Sequence, residues 1–107
     1  MYYSIAPSKN SGWGIGIAES LNLVDWKPIG ALSPTTEYEA KGICAPCALV
    51  RNDTIHLFYQ TYGNERKDAI CHAWSIGGVN FIRNLTNPIF APKVSNWSCG
   101  RAIDAEV

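Results

Sequence analysis

The sequence carries no surplus of charge: among 107 residues, nine lysines and arginines balance nine aspartates and glutamates. Such a chain has no field to draw nucleic acid or an anionic membrane surface, so neither is expected as a partner. No apolar run approaches the length of a membrane span, and Met1-Tyr2-Tyr3-Ser4 lacks the basic and apolar regions of a secretory leader. No segment has a convincing helical period. These absences leave an all-β chain as the expected class and make the compartment unreadable from the residues.

Cysteine is present but sparse, at four residues. They could form two disulfides or sit in strands as small apolar thiols. Cys44-x-x-Cys47, Cys71-His72 and Cys99 together raise zinc, whose usual ligands are thiolate and imidazole. On a strand, however, Cys44 and Cys47 face opposite ways, and Pro46 stands where a zinc knuckle has its glycine turn. Buried thiols are the better reading; no metal and no cofactor is expected.

What the sequence does have is β-rich punctuation between Lys41 and Phe90. Pro46 to Arg51 and Thr54 to Tyr62 are two β runs around Asn52-Asp53, residue types suited to a two-residue hairpin turn. After a polar, glycine-containing break, Asp68 to Ser75 reads as a third strand. Val79 to Arg83 reads as a short fourth. Residues 41–90 therefore form one complete four-stranded antiparallel unit. Upstream, Met1 to Ala6 is β-like, Trp13 to Ser20 is a tightly packed strand, and Val24 to Ile29 is a short edge strand broken by Pro28.

The opening lies over the central unit. Ile15–Ser20 matches Ile70–Ser75, and Val24-Asp25-Trp26 matches Val79-Asn80-Phe81, both displaced by 55 positions. Tyr3-Ser4 falls near Tyr59-Gln60 with one residue of slippage, and Ile103 to Val107 resembles the start of the first strand around Ala45, displaced by 59. The expected organisation is thus the last two strands of one unit with a connector in residues 1–40, a whole unit in 41–90, and a connector with the first strand of a third unit in 91–107. Repeated four-stranded units suggest propeller blades, with a solenoid of sheets or a β-sandwich as the rival arrangement. Missing blades of the same polypeptide would then be partners, and open sheet edges would invite association.

Ala45-Pro46 opening a first strand, Leu57-Phe58-Tyr59 in the second, Ala73 to Ser75 closing the third with an aromatic six residues on, and the later Ile103-Asp104 resemble the five-bladed β-propeller glycoside hydrolases of family 43 and related families. The resemblance implies a partial five-bladed propeller with the active site at the channel end where first strands begin. It also implies a periplasmic or extracellular setting and a carbohydrate substrate of plant or algal origin, arabinose- or xylose-containing. The implied reaction is inverting hydrolysis by an Asp base and a Glu acid, helped by a third carboxylate that orients and tunes the acid; inversion needs carboxyl groups about 6.5–9.5 Å apart to admit water.

On that topology the loops 62–68 and 84–102 and the segment from Asp104 supply the site. Asp104 matches the tuning carboxylate, although Ala105 stands where the commoner pattern has proline. Glu106, two residues on, would share its strand face. The base and the acid, one or more repeats away, would fall outside the chain, so the piece alone should be inactive. Trp97 would either stack on a sugar or plug the space between blades, and Arg101 would bind hydroxyls or pair with Asp104. Gln60, Tyr62 and Asn64 are candidate sugar contacts, and His72 is either a site residue or a hydrogen-bonded core residue. The competing functions are a non-catalytic carbohydrate-binding or structural β-repeat protein, a glycoside phosphorylase, and a small thiol–metal domain.

Overall fold

A computed structural model describes residues 1–92 and 102–106. Its described strands form two antiparallel sheets. The first has three strands in the order β1 (Tyr2–Ile5), β2 (Gly14–Glu19) and β3 (Lys27–Leu32); the second has β4 (Ile43–Arg51), β5 (Thr54–Thr61), β6 (Ile70–Ser75) and β7 (Ile82–Arg83). Helical structure among the described residues is confined to single 3₁₀ turns at Glu37–Glu39 and Glu65–Lys67.

The β4–β5 hairpin turns where expected, with Asn52 and Asp53 at φ of 51° and 62°, the left-handed pair that matches the twist of the flanking strands. β4 begins earlier than its Pro46 suggested, because a bulge between Cys44 and Cys47 absorbs the proline where no ladder donor is required.

Three expectations change. The first sheet has three strands where two were expected, since Tyr2–Ile5 pairs along β2 from Tyr2↔Ile17 to Ile5↔Gly14. Val24 to Trp26 is a turn, because the side-chain Oδ1 of Asn22 accepts the backbone N–H groups of Val24 and Asp25 at 2.9 and 2.8 Å, a local alternative to a ladder. The strand itself runs on through Pro28 to Leu32, which β3 tolerates as an edge strand. Correspondingly, the last strand of the second sheet is only Ile82–Arg83.

The repeat is visible in the register. Tyr3 faces Gly16 as Tyr59 faces Cys71, and Glu19 faces Lys27 as Trp74 faces Ile82. The slippage inferred at Tyr3 is therefore real: β1 is displaced from β5 by one residue more than β2 is from β6. Gly16 leaves room for the Tyr3 ring, into which an added Cβ would run.

Between the sheets, Ile15, Ile17 and Leu32 pack on Ile43, Leu57, Tyr59, Cys71 and Ala73. Burial of this kind contributes about 25 cal/mol per Å² of apolar area removed from water. The side of β6 bearing Cys71 and Ala73 faces the first sheet, leaving Ile70, His72 and Trp74 on the opposite side.

Candidate functional site

Two joints built on one plan define the ends where first strands begin. In the first, the Ile43 N–H donates to the Trp13 carbonyl at 2.9 Å, and the Ala45 N–H donates to the Ser4 hydroxyl oxygen at 2.9 Å. In the second, the Ala102 N–H donates to the Asp68 carbonyl at 2.9 Å, and the Asp104 N–H donates to Gln60 Oε1 at 2.9 Å. Trp13 and Asp68 are related by the β2/β6 displacement, Ser4 and Gln60 by that of β1/β5. Ala45 and Asp104 even share a left-handed backbone, with φ of 52° and 56°. Asp104 thus occupies the place in the repeat that the sequence pattern assigned to it.

No strand is assigned over residues 102–106, against the expected opening of a further first strand. A strand requires a hydrogen-bonded ladder, and the bonds here go to one carbonyl and one side chain instead. The shared-face argument for Glu106 fails with it, because side-chain alternation does not carry across a left-handed residue. Asp104 and Glu106 are both exposed.

The remaining candidates divide. Gln60 is 3% exposed and spends its carbonyl on Asp104, so it supports the carboxylate's backbone from inside the protein. Tyr62 is exposed, with its ring 5.8 Å from that of Trp13 at a 58° tilt. Gly42 makes this possible: its carbonyl accepts the backbone N–H of Tyr62, and a Cβ on it, already at φ +147°, would lie 2.9 Å from the backbone nitrogen of Trp13. Asn64 closes the loop, its N–H on Asp68 Oδ1 at 3.0 Å and its side-chain amide on the Tyr38 carbonyl at 2.8 Å. Asp68 is buried and also accepts the Thr61 hydroxyl at 3.4 Å. His72 lies mid-strand on the outer side of β6, against His56 and Phe58. Trp97, Cys99 and Arg101 fall outside the described residues.

Sequence reasoning missed the anchor of the first connector. Glu39, fully buried, accepts the Tyr59 hydroxyl at 2.8 Å and Arg83 Nη2 at 3.2 Å. Burial works against the Arg83 charge, but Glu39 outweighs it and raises the guanidinium pKa. Burial, then the Tyr59–Glu39 hydrogen bond, holds the Tyr59 phenol far above its ordinary range. Burial, reinforced by Glu39, pushes the Cys71 thiol up to about 12, so it stays protonated and inert. Among the described residues no cluster of three or more His, Cys, Asp or Glu could hold a metal ion.

A family model, that of the glycosyl hydrolases family 32 N-terminal domain, matches residues 1–101. The chain belongs to that family. Its fold is accordingly a partial five-bladed β-propeller, the two sheets being blades. The match supports a glycoside hydrolase propeller and carries none of the particulars drawn from family 43; Asp104 and Glu106 lie just beyond the matched span. Neither a curated protein nor a solved structure matches the chain.

Proposed function

We propose that this chain contributes one complete blade, parts of its neighbours and one site carboxylate to an enzyme that hydrolyses O-glycosyl bonds of plant or algal oligo- and polysaccharides. The observation that carries the reading is Asp104. At the same point of the repeat the first joint has Ala45 and the second has a carboxylate. Both stand on left-handed backbone, so the turn belongs to the repeat and the acid placed on it is what distinguishes the second joint. Asp104 acts as the orienting and pKa-tuning carboxylate, with Glu106 the weaker second candidate. Tyr62, Asn64, Trp97 and Arg101 supply sugar contacts from the neighbouring loops. The acid and the nucleophile or base come from other blades. Their separation decides the stereochemistry, about 5–5.5 Å for retention and about 6.5–9.5 Å for the inversion expected from the family 43 resemblance.

The test uses the enzyme containing this chain, assayed on aryl arabinosides, aryl xylosides and the corresponding oligosaccharides. Asp104→Asn is expected to lower kcat with little change in KM; an unchanged kcat removes Asp104 from the site. The chain by itself is expected to give no turnover. A binding or structural β-repeat protein would bind the oligosaccharides without hydrolysis in either form, and a phosphorylase would require added inorganic phosphate.

A further inference from the structure

The outer side of the second sheet carries a histidine pair whose protons are fixed by its neighbours. His56 Nδ1 and His72 Nε2 are 3.0 Å apart, and the rings lie 5.2 Å apart and nearly parallel. His72 Nδ1 is 3.2 Å from Asn84 Nδ2. Asn84 cannot turn its amide round, because its Oδ1 already accepts the Thr86 N–H at 2.9 Å and the Thr86 hydroxyl at 2.8 Å. Nδ2 therefore donates to His72 Nδ1, which has to be unprotonated. The His72 proton sits on Nε2 and is donated to His56 Nδ1, which has to be unprotonated as well. Each imidazole has one acceptor nitrogen, and both are occupied.

We propose that the His56–His72–Asn84 chain is an acid-sensitive latch holding the 84–88 loop onto β6, open when either imidazole is protonated. A proton on His72 Nδ1 would face the Asn84 N–H, and a proton on His56 Nδ1 would face the His72 N–H; each replaces a hydrogen bond by two opposed donors. The loop depends on this residue through its backbone too. Asn84 N–H donates to the His72 carbonyl at 2.9 Å, and the Asn87 side chain takes the His72 N–H and carbonyl at 2.9 and 2.8 Å.

Among the described residues, the strands of this side and the 84–88 loop supply no counter-charge; Asp104, whose backbone Gln60 holds, is the carboxylate that shares the side. On this side β4 presents Cys47 and Leu49, with Arg51 at its end, β5 presents His56 and Phe58, and β6 presents Ile70 and Trp74 beside His72. β7 presents Ile82, and the loop contributes Asn84 and Asn87. Cys47 is the one other titratable group of that set, Arg51 is a like charge, and no carboxylate is among them. Arg83 points to the other side, on Glu39. Burial, then the charge of His56, lowers the His72 pKa, in the direction the geometry requires. In the repeat His72 takes the place of Ile17, which faces the second sheet. The latch therefore lies on the side of the sheet where Gln60 meets Asp104.

The test is a pH titration of the ¹⁵N-labelled chain between pH 7.5 and 4.5, following imidazole nitrogen shifts and amide exchange. The expected result is His72 in the Nε2–H form, titrating below the ordinary value of about 6.5. Exchange of the Asn84 amide, normalised to its intrinsic rate, should accelerate at least tenfold on acidification. Asn84→Asp puts a carboxylate against His72 Nδ1, so it should raise the His72 pKa above that of the wild type and cancel the acceleration. Should Asn84→Asp unfold, the wild-type tautomer and titration decide alone. An Nδ1–H tautomer, a His72 pKa at or above the ordinary value, or normalised Asn84 exchange indifferent to pH overturns the proposal.

Discussion

The two joints share a backbone and differ in what that backbone presents. In the first, the joint is made by Trp13, Ile43 and Ala45, all without charge; in the second it is made by Asp68, Ala102 and Asp104, with carboxylates at two of the three equivalent places. The supporting acceptor differs as well: the exposed Ser4 hydroxyl oxygen in one, the amide oxygen of buried Gln60 in the other. The left-handed turn is thus a property of the repeat and not of the carboxylate that occupies it. A propeller that repeats this turn in each blade has a strained position available wherever a side chain must be aimed into the channel, and only some blades need to use it.

The largest effect should come from removing what holds the first joint's connector. Glu39→Ala leaves Arg83 and the Tyr59 hydroxyl buried without their partner, and should cost about 3–5 kcal/mol in urea unfolding. A loss under 1 kcal/mol would mean that the ion pair is dispensable and the connector is held by packing.

Next, Asp104→Asn should lower kcat of the enzyme by at least ~10²-fold, within the usual range for groups that assist proton transfer. Ala45→Asn at the matching position should leave kcat within twofold. Equal effects at both joints would dissolve the distinction between them.

Smaller again, Gln60→Ala and Ser4→Ala each remove one acceptor, worth about 1 kcal/mol or less of stability. They part in catalysis: Gln60→Ala should lower kcat through a less well-held Asp104, with KM unchanged, and Ser4→Ala should not. The smallest change should be Ala45→Gly, which relieves left-handed alanine and should raise stability by about 1 kcal/mol, read as a shift in the urea midpoint. Destabilisation there would show that the turn is held without strain.

Much of this arrangement was legible in the residues because a repeat carries its own test. Two displacements that agree, with one residue of slippage at Tyr3, specified which strand faces which before any contact was known. Strand limits were less legible wherever a side chain competes for the backbone. Asn22 converts Val24–Trp26 into a turn, and the bulge at Ala45 lets β4 run through Pro46. Tyr2–Ile5 was legible as a β-like run matching the second strand of the repeat, but so short a run did not show that it belongs to the same unit; its pairing with β2 does.

Composition and periodicity, then, were enough to settle an all-β chain of repeated antiparallel units, because the geometry of strands fixes spacing along the chain; the interest in Asp104 came from the family resemblance and not from that spacing. Tertiary structure alone decided what the side chains do. Glu39 and Arg83 are 44 positions apart and meet only when the connector folds over β7. Gln60 turns out to hold a backbone N–H, and His72 finds its proton acceptor on the neighbouring strand. Hydrogen bonds of that kind join residues whose distance in sequence carries no information, so only the folded chain can specify them.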